Sequence, residues 1–369
     1  MIESLHIAGF KLFRDTTLPK FGRLNLLLGE NNSGKTCLLE AINLYAGQSP
    51  MLDVAQTAAR RSEESLRSWD AIDLTEEGSS IKHPIFDLFH WADQKPGKEF
   101  LIEKLGDANS LKVQCLPHKE VRDGDDLIRY IPVTQEEVSL SDGVELALTL
   151  FRGDRQVGLL TSRRLPMLRS RISAGQKLLN KDATSVALLP ANGFSNEKAA
   201  GMWDALVQGP GQDLVLNWLR ILDPRIEDLA YIATNRRDAR TALLKFEGQG
   251  RVPLSSMGDG LTKLFHIALA VASTPKGVLL IDEFENGLHW SVQERIWKAI
   301  SKAAQDFNLQ VFSTTHSRDC IEAFTSAVGA GKAEEASVYR LERKEGEVIA
   351  TNLPVLNVQA AMRENAEVR

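Results

Sequence analysis

The sequence predicts an α/β fold with a mixed central sheet, an antiparallel β subdomain and a helical arm insertion. In the last third of the chain, short apolar runs such as Val278–Ile281 and 310–313 alternate with helical patterns. Such alternation is typical of a mostly parallel sheet covered on both faces by helices. Paired strand patterns fill much of the first half, and a long helical pattern separates the two parts.

The strand patterns of the first half predict single strands and hairpins. Residues 2–7 and 24–28 each predict a strand, and a helical pattern at 37–45 follows the second. Later, two pairs of apolar runs each flank a Gly-Asp turn, which is a hairpin signal. These runs lie at 100–105, 111–115, 144–151 and 156–161. We expect them to form an antiparallel sheet beside the parallel core.

Changes of pattern along the chain predict four segments. Residues 1–162 form a first lobe with the antiparallel sheet, and 163–225 form a helical arm. Residues 226–356 form a second lobe, and 357–369 form a C-terminal tail. Helices are predicted best at 197–207, 213–222, 261–272, 291–304 and 318–327, and strands resume at 229–233 and 242–246.

The composition is that of an ordinary globular protein. The 369 residues are 43% hydrophobic and 25% charged, with a formal net charge of −5. That charge offers no global attraction to nucleic acid or an anionic membrane, so such a partner needs a local basic patch. The three cysteines lack C-x-x-C spacing, and neither a secretory signal nor a membrane-spanning run is present. These features predict a cytoplasmic protein with no membrane partner.

A glycine-rich loop stands between the strand pattern at 24–28 and its helix. In this loop type, backbone N–H groups bind phosphates at a helix N-terminus. Lys35 adds positive charge at the β- and γ-phosphates, and the Thr36 hydroxyl is placed to bind Mg²⁺. The alternative is a glycine-rich turn, which the flanking strand and helix disfavour. The complete G-x-x-x-x-G-K-[ST] motif consists of Gly29, Glu30, Asn31, Asn32, Ser33, Gly34, Lys35 and Thr36.

Two carboxylates follow the apolar run Val278–Ile281. In α/β proteins, ligand sites form at the C-terminal ends of the strands. We therefore expect Asp282 to hold Mg²⁺ and Glu283 to act as general base for an attacking water. The alternative for such an acidic pair is a helix N-cap.

Two further segments place polar residues at a strand end and at a helix start. His316 follows the strand pattern at 310–313, where its imidazole could bind the γ-phosphate. Ser256, Gly258 and Asp259 precede a predicted helix and form a second anion-binding turn. Because one chain needs one such turn for its own triphosphate, we expect the second to bind a partner subunit's nucleotide. The alternatives are a structural histidine and an ordinary capping turn.

Together these motifs resemble the ABC-type ATPases, in the branch that contains RecF, SMC proteins and the OLD (overcoming lysogenization defect) family. Residues 7–11 are similar to the I-x-N-F-[RK] opening of that branch, and 256–259 to its S-G-G-[QE] signature. The Asp282–Glu283 pair matches Walker B, His316 matches the switch histidine, and 285–289 stand where the D-loop stands. The resemblance covers roughly 1–160 and 226–330, and the motif sequences are most similar to those of OLD-like ATPases.

The resemblance implies a P-loop NTPase fold of ABC type that hydrolyses ATP with Mg²⁺ as a homodimer or an oligomer of dimers. It places Lys11 among the nucleotide-binding residues. His289 replaces the D-loop aspartate, Met257 replaces a signature glycine, and Gln94 is a weak match for the Q-loop glutamine. Only about fifty residues follow His316, so we expect no Toprim nuclease domain and a separately encoded effector.

These expectations favour the sensor or regulatory ATPase of a phage-defence system, which controls a separate effector such as a nuclease. The alternatives are a RecF/SMC-like DNA repair or DNA-loading ATPase and an ATP-binding scaffold with little turnover. A basic stretch at 152–181 could contact nucleic acid phosphates, or else form a solvated face. Its basic residues are Arg152, Arg155, Arg163, Arg164, Arg169, Arg171, Lys177 and Lys181.

Overall fold

A six-stranded mixed sheet forms the centre of the protein, seen here in a computed structural model. Neighbouring strands are parallel except at one edge, where the last two strands of the chain pair antiparallel. In spatial order the strands are β16 (Glu347–Leu353), β15 (Ala336–Lys344), β3 (Leu24–Leu28), β14 (Gln310–Thr315), β13 (Val278–Ile281) and β9 (Val186–Leu189). The structure describes residues 1–59, 84–90, 97–123, 127–134, 137, 144–161, 185–233, 240–364 and 366.

The central strands are apolar along their length because both faces of the sheet are covered. In β3, Leu26 and Leu28 belong to one hydrophobic cluster, while Leu27 belongs to the cluster on the opposite face. All three side chains are fully buried. This two-sided burial is the reason that short continuous apolar runs correctly identified three of the central strands, β3, β13 and β14.

A second, antiparallel sheet lies over one face of the core. Its strands are β1 (Leu5–Phe10), β2 (Phe13–Leu18), β4 (Glu99–Glu103), β5 (Leu111–Asp123), β6 (Leu127–Pro132), β7 (Val144–Arg152) and β8 (Arg155–Thr161). The spatial order is β2-β1-β4-β5-β7-β8, with β6 beside β5. Both hairpins predicted around Gly106 and Gly153 are present, because β4 pairs with β5 and β7 pairs with β8.

Helices cover both faces of the central sheet. Helices α1 (Lys35–Ala46) and α2 (Pro50–Ala59) share a hydrophobic cluster with the antiparallel sheet. The helices of the other face are α3 (Asn196–Leu206), α4 (Pro210–Leu219), α5 (Asp259–Ala272), α6 (Trp290–Asp306), α7 (Arg318–Val328) and α8 (Val355–Arg363). A small sheet packs with them: β10 (Ile226–Ala233), β11 (Arg240–Phe246) and β12 (Arg251–Pro253). Within the described residues, no helix is long and apolar enough to cross a membrane.

The stretch predicted as a helical arm differs from that expectation. Residues 186–189 form β9, which pairs in parallel with β13 and completes the central sheet. Helices α3 and α4 are present, but Trp203 and Val215 bury them in the core. Their apolar faces hold this part of the stretch against the central sheet, and residues 162–184 lie outside the described part of the chain.

The C-terminal region also contains more structure than the sequence patterns suggested. The hairpin of β15 and β16 extends the central sheet beyond β3. Helix α8 occupies most of the stretch expected as a tail, and its Val358 and Met362 are buried.

Candidate nucleotide-binding site

The strand order brings the predicted motifs to one edge of the central sheet. Strand β14 lies between β3 and β13, and all three run in the same direction. The glycine-rich loop at 29–36 (the P-loop), Asp282 and His316 directly follow the C-terminal ends of these strands. Parallel strands therefore assemble residues that are almost three hundred positions apart in sequence.

The P-loop backbone needs its glycines. Gly34 has a φ of 101° and immediately precedes α1, whose first N–H groups have no side-chain cap. Gly29 has a φ of 149°, and a Cβ there would collide with the Leu341 carbonyl and the Ser33 side chain. Asn32, with a φ of 64°, is the residue type that tolerates this region best after glycine. The loop thus leads into a helix N-terminus that no side chain caps, which suits an anion.

Lys35 places its ammonium inside this loop. Its Nζ donates to the carbonyl oxygens of Gly29 and Glu30, each at 2.7 Å. Burial lowers the pKa of Lys35, while the carboxylates of Glu285 and Asp282 act in the opposite direction. A cation held this way is positioned to neutralise phosphate charge.

Asp282 is bound by two threonines. Thr36 Oγ1 donates to the carboxylate at 3.1 and 3.2 Å, and Thr314 Oγ1 donates to Oδ1 at 2.7 Å. Burial raises the pKa of Asp282, and the two hydroxyl donors lower it. Among the described residues, no group of three or more His, Cys, Asp or Glu side chains could hold a metal. One hydroxyl and one carboxylate do fit a hard cation that takes its other ligands from phosphate and water.

Glu283 has an unusual backbone that its neighbours hold in place. Its φ is 46°, which is disfavoured for a residue with a side chain. Its N–H donates to Thr314 Oγ1 at 2.8 Å, and its carboxylate accepts from Asn286 Nδ2 at 2.5 Å. A strained backbone conformation that several contacts hold in place is common at functional sites. These two bonds hold Glu283 in place, and its charge is near enough to act on the pKa of Asp282.

His316 is oriented by Glu285. The His316 backbone N–H donates to Glu285 Oε1 at 2.9 Å, and its Nδ1 lies 3.1 Å from the same oxygen. The imidazole is 44% exposed, whereas the Glu285 side chain is only 10% exposed. The predicted switch histidine therefore has a carboxylate partner that sequence reasoning missed, although Glu285 stands at the start of the D-loop, residues 285–289.

The predicted signature turn, residues 256–259, lies at the surface. Ser256, Gly258 and Asp259 are all exposed, and Gly258 has a φ of 87° before α5 begins. The turn abuts the D-loop, because a Cβ on Gly287 would lie 3.0 Å from the Asp259 Cβ. The two segments thus lie side by side at the protein surface.

The structure gives Lys11 a different partner from the one expected. Its Nζ lies 2.6 Å from Glu40 Oε2, and both side chains are almost fully buried. Glu40 belongs to α1, and a buried carboxylate there requires a nearby cation. Lys11 therefore holds the P-loop helix against the β1–β2 turn, and its charge is already matched by Glu40.

The basic stretch at 152–181 is described only at its start. The Arg152 guanidinium donates to the carbonyls of Leu44 and Gly47 at 3.0 and 3.3 Å, which caps the end of α1. Arg152 thus has a structural role, while Arg155 is exposed. The six basic residues from 163 to 181 and Gln94 lie outside the described residues.

Lys263 on α5 is a further site residue that the sequence analysis missed. Its Nζ donates to the carbonyls of Glu283 and Asp282 at 3.0 and 3.2 Å. Burial lowers its pKa to about 8, against the opposing effect of the nearby carboxylates. The only indication of this role in the sequence is that Lys263 interrupts the apolar run of a predicted helix.

Comparison with known families identifies ATPase domains along most of the chain. Residues 124–319 match the family described as "AAA domain, putative AbiEii toxin, Type IV TA system". Residues 1–128 match the family described as "AAA ATPase domain". These matches agree with the P-loop and Walker B geometry and support nucleotide binding and ATP hydrolysis at this site.

Individual relatives extend this similarity over nearly the whole chain. An ATP/GTP phosphatase of Helicobacter pylori is 26% identical over 354 residues, which are 89% of this chain and 88% of that protein. An uncharacterized protein of Methanocaldococcus jannaschii is 31% identical over 108 residues, 29% of this chain and 93% of that one. The crystal structure of an SMC head bound to the C-winged helix domain of ScpA superposes with a TM-score of 0.51 at 15% identity. It covers 98% of this chain and 99% of that one, and shows that the fold is that of an ABC-type SMC head.

Proposed function

This chain belongs to the AAA domain family matched by residues 124–319, and from that premise we propose an ATPase that works as a dimerising conformational switch. The observation that carries the proposal is the hydrogen bond from Thr36 of the P-loop to Asp282, with Glu283 beside them. Phosphate-binding, metal-binding and proton-accepting groups thus meet at one sheet edge.

Each of these residues has a separate role in hydrolysis. The P-loop N–H groups and Lys35 bind the phosphates, and Thr36 with Asp282 would hold Mg²⁺, which supplies positive charge at the phosphate oxygens. Glu283 accepts a proton from the attacking water, and ADP and phosphate result. His316 donates to the γ-phosphate as its charge develops.

We assign the signature turn to the partner's site. Ser256, Gly258 and Asp259 are exposed at the start of α5, so their donors are available to a second molecule. In this proposal two subunits enclose two ATP molecules, and hydrolysis separates them. The D-loop moves with the signature turn because the two are in contact.

The output of the switch is proposed from resemblance. OLD-like ATPases carry similar motifs, and the matched family's description names a toxin–antitoxin system. We therefore place the ATPase in a phage-defence system, where it controls a separately encoded effector such as a nuclease. Nucleic acid binding by Arg155 and the basic residues at 163–181 would supply one trigger.

Steady-state ATP hydrolysis combined with sedimentation tests this function. The wild type should hydrolyse ATP and dimerise with ATP, whereas Lys35→Ala should lose both activities. Lys298→Met, which removes an exposed cation paired with Glu294 on α6, should retain both. A wild type that binds ATP without hydrolysing it would show that the chain is a nucleotide-binding scaffold.

A further inference from the structure

Lys263 links two parts of the site that lie on different elements. It stands on α5, one helical turn after Asp259 of the signature turn. Its Nζ reaches the Walker B pair and donates to Glu283 O at 3.0 Å and Asp282 O at 3.2 Å. The Ala191 carbonyl completes the set at 3.5 Å, the outer limit of hydrogen bonding. The helix that begins at the signature turn is therefore bonded to the backbone of the general base.

Burial of the Lys263 ammonium requires compensating interactions. The residue is only 5% exposed, and burying an ammonium is unfavourable unless hydrogen bonds and nearby charges compensate. Backbone carbonyls provide the bonds, and the carboxylates of Asp282, Glu285 and Glu283 provide opposite charge. An apolar residue would fill this position, because the neighbouring residues 264–271 of α5 are all buried, so core packing alone does not require a lysine.

The bonded backbone is the strained one. Glu283 has a φ of 46°, a conformation that neighbouring contacts must hold. Thr314 Oγ1 accepts a hydrogen bond from the Glu283 N–H, and Lys263 Nζ donates a hydrogen bond to the Glu283 carbonyl. The two bonds fix the residue from both ends. A shift of α5 would move the ammonium and release one of them.

We propose that Lys263 is a positioning residue that couples the signature turn to Glu283, so that contact of this turn with the partner's nucleotide sets the geometry of hydrolysis in the chain's own site. The coupling rests on the proposed dimerising ATPase. In this proposal Lys263 acts through its hydrogen bond to the Glu283 carbonyl, not through contact with the nucleotide.

Kinetics of Lys263→Met and Lys263→Arg test this role, with Lys298→Met as the control for losing a lysine. Removing the ammonium should lower kcat by roughly 100-fold, because small errors in the placement of a catalytic group have effects of this size. KM for ATP should change by less than about threefold, since the P-loop is intact. Lys263→Arg keeps a cation with several donors and should restore part of kcat.

Sedimentation separates positioning from folding. In a Glu283→Gln background, adding Lys263→Met should leave ATP-dependent dimerisation unchanged. An unchanged kcat in Lys263→Met overturns the proposal. So does a joint loss of thermal stability, ATP binding and dimerisation in both Lys263 variants, because a structural role then suffices. Failure of the wild type to hydrolyse ATP or dimerise instead overturns the proposed function itself.

Discussion

The Thr36 hydroxyl at the start of α1 lies 3.1 Å from Oδ2 of Asp282, 246 positions later in the chain. Thr314 binds the other oxygen of the same carboxylate. This contact joins the first and last thirds of the molecule at the C-terminal edge of the parallel strands. It also places a hydroxyl and a carboxylate where one hard cation could contact both.

Thr36→Val should raise the Mg²⁺ concentration needed for half-maximal hydrolysis by about tenfold or more, because a metal ligand is lost. Hydrolysis measured across a Mg²⁺ series at fixed ATP gives this number. Thr17→Val, which removes an exposed hydroxyl on β2, is the matched control and should follow the wild-type curve. Identical Mg²⁺ curves for Thr36→Val and the wild type would remove Thr36 from the metal site.

Glu283→Gln should lower kcat by roughly 1,000-fold, because the variant lacks a base for the attacking water. ATP binding should persist, so the ATP-bound dimer should accumulate and be visible by sedimentation. Glu294→Gln changes a partly exposed carboxylate on α6 and should behave as the wild type. Substantial turnover in Glu283→Gln would mean that another group activates the water.

Lys11→Met should destabilise the fold and leave KM for ATP unchanged. The variant leaves Glu40 buried without its cation, which should lower the free energy of unfolding by about 3–5 kcal/mol. Urea denaturation measures this loss, and Lys11→Met/Glu40→Leu should recover part of it. A higher KM with normal stability would instead assign Lys11 to the nucleotide.

His6 should make stability depend on pH. Its ring nitrogens lie 2.9 Å from Asp15 and from Glu103. Burial opposes the charged form, but the two carboxylates outweigh it and raise the pKa of His6. The stabilisation is therefore complete below the unfolded pKa and is lost as pH rises through the higher folded pKa.

His6→Gln should accordingly destabilise the protein more in acid than in alkali. Because Asp15 is 77% exposed, solvent screens this ion pair, so the effect should not exceed about 1 kcal/mol near pH 5 and should vanish near pH 9. Denaturation of both proteins at the two pH values measures the difference. An equal destabilisation at both would assign His6 a packing role.

The sequence predicted the parts of the site that depend on local patterns. The P-loop, Walker B pair and His316 each follow a short apolar strand. Such strands can be identified from the sequence, because burial on both faces makes them continuous apolar runs. Strand β9 was missed because four apolar residues fit a strand or a buried helix equally well. Its pairing with β13 is a long-range contact that no local pattern encodes.

The supporting residues of the site could not be predicted for the same reason. Lys11 was expected to bind the nucleotide, but in the structure it pairs with Glu40. This pairing depends on the packing of α1 against the β1–β2 turn, which no local sequence pattern encodes. Lys263 and Asn286 act on Glu283 through bonds that require the folded backbone. Their residue types alone are common on any helix or loop.

We propose that each site combines the P-loop of one subunit with the signature turn of its partner. Mixing two inactive variants is the most direct test of this arrangement. Lys35→Ala disables a subunit's own P-loop, and Ser256→Arg blocks its signature turn. A mixed dimer then keeps one intact combined site. Because only the mixed dimer contains an intact combined site, one of its two, the mixture should recover ATPase activity that neither variant has alone, up to about half of the wild-type rate. A mixture as inactive as its parts, or full activity of Ser256→Arg alone, would contradict the account.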